Sequence, residues 1–485
     1  MHQRYLTRCL LGVSLLAGCA IAPRPEAQKN TEPRPPNVVI VFADDLGYGD
    51  LSSYGSKDFE TPALDRLAAE GMRFTDFYAA QPVCSASRAA LLTGCYPNRL
   101  GIHGALGPGA KVGLALEETT LAELLAPLGY ATAIYGKWHL GSRAPFLPTR
   151  QGFDEYEGLL YSNDMWPKHP ESPTAWPPLP WFIGETAVEI FDDHDDQEEI
   201  TRRVTARAID FIERQGDHPF FLYLPHPMPH VPLGVGPDFR GTSRYGMYGD
   251  VIAEIDDSVA QVRSALESTG VLDDTIFIFT SDNGPWLSYG DHAGTTGGLR
   301  EGKGTTFEGG VRVPLIVRFP PRVAAGTTCS VPCMAIDLLP TIAAWTGAPL
   351  PPLPIDGKSL VAHLQGNPDA PAPHEVLGFW YHDRQLEAVR AGRWKLHFPH
   401  RYRAVKEGPP GNNGIPAKYD YGITIERALF DLENDPGETI DVSVQHPEEV
   451  ARLERLADRL RVRLGDRLRK IDGTEVRAVG RLEGP

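Results

Sequence analysis

Cysteine is scarce in this chain, which has 485 residues and only six cysteines. They are too few and too scattered for a disulfide framework, and no spacing of the zinc-binding type occurs. Cys329 and Cys333 could pair, although a surface pair of free thiols is equally compatible with their spacing. The cysteines are Cys9, Cys19, Cys84, Cys95, Cys329 and Cys333.

An excess of basic charge is also missing. The chain has 47 Lys and Arg against 63 Asp and Glu, which gives a formal net charge of −16. This balance argues against nucleic acid as a partner and against adsorption to anionic surfaces. No internal repeat and no phosphate-binding P-loop spacing is present. The length and the 42% hydrophobic content predict a large globular domain with a smaller second one.

The N-terminal apolar run is too short to span a membrane. Arg4 and Arg8 precede the run at 10–17, which ends in Leu-Ala-Gly-Cys19. This pattern resembles a bacterial lipobox, and an ordinary cleaved signal peptide is the alternative. We predict a signal peptide at 1–18 and a Pro-rich tether at 19–36 that is lipidated on Cys19. The protein would then be an exported lipoprotein, periplasmic or anchored in the outer membrane, with the anchor as its only membrane contact.

Four apolar runs in the middle of the chain are each followed by polar residues. Continuous apolar runs of this length are typical of strands buried on both faces, and helical patterns separate them at 119–128, 199–214 and 250–266. The runs and the residues after them are Val38–Phe42 with Asp44 and Asp45, Ala131–Tyr135 with Lys137 and His139, Phe220–Leu224 with His226 and His230, and Thr275–Phe279 with Asp282 and Asn283.

This alternation predicts an α/β fold with a large, mixed, mostly parallel sheet sandwiched by helices. Ligands in such folds bind beyond the carboxyl ends of the strands, so the four polar groups can converge on one site. Asp44 and Asp45 are adjacent carboxylates, and both stay ionised only beside a cation. A turn in which Asp44 caps a helix is the alternative.

The pattern changes near residue 355. Short strand-like segments at 378–381, 387–390, 393–398 and 428–432 precede a charged amphipathic helix at 447–468. We therefore predict a catalytic domain at 37–354 and a C-terminal subdomain at 355–485. This subdomain would be a small α+β unit with an antiparallel sheet and a terminal helix.

A short helix is predicted to begin at Cys84. Ser85 or Ser87 can cap it, and Gly94 is a plausible stop. The free N–H groups of a helix N-terminus favour an anion on residue 84, or an anionic substrate group next to it. Arg88 lies one turn further on the same face. A buried structural thiol before an ordinary helix is the competing interpretation.

The segment Cys84-Ser-Ala-Ser-Arg88, followed by Leu-Thr-Gly94, resembles the signature of the type I sulfatases of the alkaline-phosphatase superfamily. The resemblance extends over about residues 36–440. It implies that Cys84 is oxidised to formylglycine, whose hydrate is the nucleophile, and that a maturation enzyme is a partner. Position 86 is Ala where many members have Pro, which can restrict the choice of that enzyme.

The same resemblance implies a role for each polar residue. Hard oxygen ligands suit calcium, with magnesium as second choice, and argue against zinc. With a divalent ion and three basic residues, the pocket has a formal charge of about +2, which suits a sulfate ester. Metal ligands would be Asp44, Asp45, residue 84, Asp282 and Asn283; catalytic residues would be Cys84, Arg88, Lys137, His139, His230 and Lys303; substrate-binding residues would be Lys137, Ser162, His230 and Lys303.

Lys303 comes from a Gly-rich segment at 299–312 that resembles the sulfatase segment with an active-site lysine, and we interpret Glu308 and Arg312 there as structural. The predicted function is hydrolysis of an aryl sulfate or a sulfated carbohydrate. A phosphonate or phosphate monoester hydrolase on the same fold is the alternative, and a non-catalytic glycan-binding lipoprotein is a third hypothesis. We expect substrate specificity to lie in the loops at 161–181 and 400–425.

Overall fold

The computed structural model describes Met1 and residues 34–482. Cys19 and nearly all of the predicted leader and tether lie outside these residues. Pro35–Pro485 forms one compact unit. The strands of the described chain are β1 (Asn37–Ala43), β2 (Met72–Phe74), β3 (Phe77–Tyr78), β4 (Val112–Gly113), β5 (Ala131–Lys137), β6 (Glu155–Leu159), β7 (Leu179–Ile183), β8 (Thr186–Phe191), β9 (Phe220–Pro225), β10 (Thr275–Ser281), β11 (Leu315–Arg318), β12 (Thr327–Cys329), β13 (Cys333–Met334), β14 (Leu377–Tyr381), β15 (Gln385–Ala391), β16 (Trp394–His397), β17 (His400–Val405), β18 (Tyr419–Ile425), β19 (Ala428–Asp431) and β20 (Gly480–Arg481).

Short 3₁₀ segments and α-helices connect these strands. The α-helices of the described chain are α1 (Pro62–Glu70), α2 (Cys84–Thr93), α3 (Pro97–Leu100), α4 (Leu121–Leu125), α5 (His194–Glu198), α6 (Ile200–Gln215), α7 (Gly246–Ser268), α8 (Glu308–Val311), α9 (Leu338–Thr346), α10 (Val361–Leu364) and α11 (Pro447–Leu464). None of the helices in the described residues has both the length and the apolar character that a bilayer span needs.

The large sheet has ten strands in the order β12-β2-β11-β10-β1-β9-β5-β6-β7-β8. Its central strands β10, β1, β9, β5 and β6 are parallel. Four of them, β1, β5, β9 and β10, contain the predicted apolar runs, and β6 pairs with β5. Antiparallel strands β11 and β7 flank the parallel block, and β8 closes one edge as a hairpin with β7. The prediction of a mixed, mostly parallel sheet is confirmed.

Helices cover the sheet because each presents an apolar stripe. In α6 the buried residues Ile200, Val204, Ala208 and Phe211 recur every three or four positions, which places them on one face. Helix α6 packs on β5 and β9, and the neighbouring strand β1 has every residue from Val38 to Ala43 completely buried. This burial fixes where the strand ends, and therefore where the polar residues after it stand.

The C-terminal part forms a second, antiparallel sheet in the order β14-β15-β16-β19. Helix α11 packs on it through Val450, Leu453, Leu456 and Leu460. The predicted antiparallel sheet with a terminal helix is therefore confirmed. The placement of the domain boundary at residue 354 stays a prediction.

Two local predictions were wrong. Neither Ser85 nor Ser87 caps α2, because the helix begins at Cys84 with Val83 as its uncapped N-cap residue. The Ser85 hydroxyl instead accepts a hydrogen bond from the Leu106 N–H, at 2.9 Å. Cys329 and Cys333 form neither a disulfide nor a surface pair, since both are free and buried beside the large sheet.

Candidate active site

The candidate site lies beyond the carboxyl ends of four neighbouring parallel strands. Asp44 and Asp45 follow β1, Lys137 closes β5, His230 follows β9, and Asp282 and Asn283 follow β10. Because β10, β1, β9 and β5 are adjacent, these side chains meet at one edge of the sheet. Asp45 adopts a left-handed backbone with φ of 64°, which turns the chain sharply at the strand end.

The acidic groups form a tight, buried cluster. Asn283 Nδ2 donates to Asp45 Oδ1 at 2.7 Å, and the Asp45 N–H donates to Asp282 Oδ1 at 3.0 Å. Ligand atoms of Asp44, Cys84 and Asp282 all lie within 4.8 Å of one another. Burial and the nearby Asp44 carboxylate raise the pKa of Asp282, so positive charge beside the cluster favours the ionised form of both groups.

Three basic side chains surround the acids. Arg88 Nη2 lies 3.1 Å from both Asp44 Oδ2 and Asp282 Oδ2. Lys137 Nζ lies 2.5 Å from Asp44 Oδ2, and Lys303 Nζ lies 2.8 Å from Asp45. Burial opposes the ionisation of Asp44, but Lys137 and Arg88 outweigh it and hold the Asp44 pKa below its usual range. The local charge is thus balanced within a strongly acidic protein.

Cys84 is the first residue of α2 and is 2% exposed. Helix α2 carries Arg88 one turn later, so one element positions both residues. Burial raises the pKa of the Cys84 thiol. The expected anion on residue 84 is therefore not formed by the thiol itself, and the helix N-terminus is left to an anionic group beside it.

The two candidate histidines have defined tautomers. His139 Nε2 lies 2.9 Å from the Leu106 carbonyl and donates to it, which leaves Nδ1 as a buried acceptor without a partner among the described residues. His230 Nδ1 donates to the Val231 carbonyl at 2.6 Å. Its Nε2 faces Ser162 Oγ at 3.5 Å and Asp45 Oδ2 at 3.6 Å.

Ser162 joins the site through Lys137, whose Nζ donates to Ser162 Oγ at 2.9 Å. His226 does not join it: His226 Nε2 instead lies 3.2 Å from the Ser258 hydroxyl on α7. Glu308 and Arg312 bind each other at 2.6 Å, away from the acidic cluster, which fits the structural role expected for them.

Three residues at the site were missed by the sequence analysis. Tyr381 packs against Cys84, and Trp286 lies over Lys303 Nζ at 4.4 Å from its ring centroid. Arg403 donates from Nη2 to the Lys303 carbonyl at 2.7 Å. The position of Trp286, three residues after Asn283 in the same loop, was the one usable signal in the sequence.

The chain is similar to known proteins over most of its length. A family model described as Sulfatase matches residues 36–348, and one described as the C-terminal region of aryl-sulfatase matches residues 372–474. This chain belongs to the sulfatase family. It is a hydrolase, as sulfatases are.

Relatives of this sulfatase are similar over most of their length. Arylsulfatase A of Bos taurus is 40% identical over 444 residues, which cover 84% of this chain and 83% of that protein. N-acetylgalactosamine-6-sulfatase of Sus scrofa is 36% identical over 436 residues, covering 85% and 82%. The crystal structure of the PsFucS1 sulfatase from Pseudoalteromonas sp. superposes with a TM-score of 0.80 at 27% identity, covering 92% of each chain.

Proposed function

We propose that this sulfatase removes sulfate from an aryl sulfate or a sulfated carbohydrate, with residue 84 as formylglycine and a divalent metal beside it. The observation that supports this most directly is the convergence of an oxygen-donor cluster and three basic side chains on Cys84. A phosphonate or phosphate monoester hydrolase is less favoured, because both family models that match the chain describe sulfatases.

The residues present fit a hard divalent cation. Asp44 Oδ1 and Asn283 Oδ1 are buried and have no hydrogen-bond donor among the described residues. A buried oxygen without a donor is costly unless a cation or water satisfies it. Asp44, Asp45, Asp282 and Asn283 would hold the ion. Calcium is the first choice and magnesium the second, because four protein oxygens meet here, whereas magnesium usually keeps several waters and binds only one or two carboxylates. When bound, the ion supplies positive charge next to residue 84 and the sulfate.

Formylglycine at residue 84 would supply a hydrate with two hydroxyl groups, one to attack sulfur and one whose deprotonation releases sulfate. Arg88 would hold Asp44 and Asp282 in place next to residue 84, which begins α2. Lys137 and Lys303 stand on two sides of the cluster and stabilise negative charge on the sulfuryl oxygens, which is preorganised electrostatic stabilisation. Ser162 orients Lys137 through its hydroxyl.

Proton transfer is assigned to the two histidines. His230 Nε2 is the nitrogen that faces the pocket. In the imidazolium form, with Nδ1–H still donated to the Val231 carbonyl, His230 would deliver its Nε2 proton to the departing ester oxygen and return to the neutral tautomer. His139 Nδ1 is the free acceptor of the second imidazole and takes a hydroxyl proton at residue 84. In both cases the other ring nitrogen is held by a backbone carbonyl, which fixes the ring.

The experiment that tests the proposal examines residue 84 directly. Active protein should show an aldehyde at position 84 by peptide mass spectrometry, react with a hydrazine probe and resist thiol alkylation. Cys84→Ala should abolish turnover of 4-nitrophenyl sulfate and leave metal binding largely intact. Cys333→Ala, which removes a buried thiol elsewhere, should keep its activity. Because Cys84 is 2% exposed, conversion must precede folding, so a host without a maturation enzyme should yield folded, nearly inactive protein.

Full activity with an alkylatable Cys84 would overturn this mechanism. A higher kcat/KM for 4-nitrophenyl phosphate or a phenylphosphonate ester than for 4-nitrophenyl sulfate would favour the alternative hydrolase.

For localisation we propose an exported lipoprotein anchored through Cys19, which the leader pattern supports. Cys19→Ala should release the protein from membranes or block its processing, and absence of fatty-acid labelling in the wild type would argue for plain secretion.

A further inference from the structure

Trp286 forms an aromatic wall beside the reacting groups. Its ring meets the His230 imidazole edge to face at 5.5 Å between centroids, and Lys303 Nζ lies 4.4 Å from its centroid. Trp286 is only partly buried, although Tyr289 packs behind it at 5.0 Å. A leaving group bound next to His230 would therefore lie close to an exposed part of the indole ring.

Arg403 continues this wall from the C-terminal part of the chain. A β-bulge in β17 between Tyr402 and Ala404 displaces Arg403 from the regular pairing with β18. Its guanidinium lies 5.9 Å from the Trp286 ring centroid and 4.4 Å from that of Tyr419. Arg403 also lies across Gly304, where a Cβ would approach the guanidinium to 2.4 Å. The glycine thus gives this side chain room beside Lys303.

The charge of Arg403 is not neutralised by any acidic residue in the described part of the chain. Among residues 34–482 no carboxylate lies within ion-pair distance of its guanidinium, although Nε and Nη2 donate to the Lys303 carbonyl at 3.3 and 2.7 Å. A half-buried arginine without an acidic partner, next to a substrate pocket, is suited to bind an anion.

Two acidic groups near the wall belong to a different loop from Arg403. Burial, followed by the charges of Asp164 and Glu171, raises the pKa of Tyr289, so these two acids are close to that ring. They belong to the 161–181 loop, whereas Arg403 belongs to the 400–425 segment. The segment between β17 and β18 docks on residues 287–292, since Ala417 N–H donates to the Ser288 carbonyl at 2.7 Å. The favourable place for a second negative charge on a substrate is therefore next to the Arg403 guanidinium.

We propose that Arg403 is a specificity-determining residue that binds a second anionic group, a carboxylate or a sulfate, on a sulfated glycan whose sugar ring lies against Trp286. This inference rests on the proposed sulfatase activity and narrows its substrate class. Simple aryl sulfates lack the second anion and would use the catalytic groups alone.

The test uses matched pairs of sulfated disaccharides. In one pair a uronic-acid carboxylate is compared with its methyl ester, and in the other a disulfated disaccharide is compared with its monosulfated form. The wild type should prefer the charged member of a pair, and Arg403→Gln should reduce that preference in kcat/KM by about 10- to 100-fold, mainly through KM. The pair with the larger change identifies the anion as carboxylate or sulfate.

Two further variants complete the experiment. Arg401→Gln removes an exposed arginine from the same strand and should leave the preference unchanged. Trp286→Leu should raise KM for both members of a pair by about tenfold, because it removes the aromatic face that the sugar contacts. If Arg403 only supported Lys303, Arg403→Gln would lower kcat equally for both members, and the preference would not move.

The outcomes separate this inference from the proposed function. Equal preference ratios in wild type and Arg403→Gln would overturn the role of Arg403 but not the sulfatase activity. Hydrolysis of 4-nitrophenyl sulfate without hydrolysis of any disaccharide would do the same. An unchanged KM in Trp286→Leu would overturn the contact with the sugar ring. Failure of the formylglycine-containing protein to hydrolyse either 4-nitrophenyl sulfate or any disaccharide would contradict the sulfatase activity itself.

Discussion

Asp45 and His139 hold backbone conformations that few side chains adopt. Their φ angles are 64° and 62°, in the left-handed region, and each follows the end of a parallel strand. Such a residue costs about 1–3 kcal/mol and persists only where its surroundings fix it. Here the buried strands β1 and β5 fix it, and the sharp turn after each strand sets the direction of the side chain there.

His230 and Lys303 give the most direct kinetic prediction. His230→Ala and Lys303→Ala should each lower kcat by roughly 10²–10⁴-fold, since each removes a group needed in the transition state. The loss should shrink as the leaving group becomes more acidic, because a good leaving group needs little protonation. A series of substituted phenyl sulfates measures this dependence.

The matched control for this series is His226→Gln. His226 lies four residues before His230 but binds Ser258 outside the pocket, so its replacement should leave the slope of the leaving-group plot unchanged. Equal losses in His230→Ala for every leaving group would show that His230 is not the general acid.

Several site residues could be predicted because their positions follow from local sequence. Asp44, Lys137, His230 and Asp282 come after apolar runs, and parallel strands bring such ends together. Trp286 could have been singled out because it lies three residues after Asn283, whereas Arg403 could not be predicted, because its approach depends on a bulge and on packing between distant segments. The predicted Ser85 cap failed for the same reason, since a tertiary contact with Leu106 uses its hydroxyl.

At the scale of elements, helix α8 and strand β16 share a buried ionic network. Lys395 on β16 lies 2.8 Å from Glu308 on α8 and 3.1 Å from Glu438, and all three side chains are completely buried. Lys395→Met should destabilise the protein by about 3–5 kcal/mol, because it removes the cation that the two buried carboxylates share and leaves Arg312 as a partner of Glu308 alone. Urea unfolding measures the change, with the exposed Lys406→Met as the control. Equal stability of the two variants would refute this account.

Helix α7 carries a second testable element, the buried carboxyl group of Glu254. It is 5% exposed and accepts the Gly236 N–H at 2.9 Å. Burial raises its pKa to about 7, above the value of the unfolded chain. The folded state therefore binds the proton more tightly, and the stability contributed by this group falls as pH rises from its unfolded pKa to about 7.

Glu254→Gln should remove this dependence. The variant should be about 1–3 kcal/mol more stable than the wild type at pH 8 and nearly equal to it at pH 4.5, since the group is largely neutral there. Glu213→Gln, an exposed acid on α6, is the control and should give parallel curves. A wild-type difference between pH 4.5 and 8 that persists in Glu254→Gln would exclude Glu254 as its source.

At the scale of the whole molecule, the charge distribution explains how an acidic protein serves an anionic substrate. The formal net charge is −16, whereas Arg88, Lys137 and Lys303 are concentrated around one acidic cluster. Composition shows the net charge but not this concentration, which arises only when the end of β5, helix α2 and the 299–312 segment meet at the acidic cluster. The affinity of the pocket for a sulfate group then depends on how much positive charge a bound ion adds to that of these three residues.

This dependence links metal binding to the stability of the entire compact unit. A ligand that binds only the folded state at 100 times its Kd stabilises it by about 2.7 kcal/mol. Removing the ion with a chelator should therefore lower both Tm and turnover of 4-nitrophenyl sulfate, and calcium should restore them.

Asp45→Asn and Asp282→Asn each remove a charge that faces the ion, so they should need roughly 10- to 100-fold more calcium for the same Tm gain. Asp238→Asn, at an exposed position, should titrate like the wild type. Calorimetry across a calcium series gives these values, and a chelator without effect on Tm or activity would contradict the site.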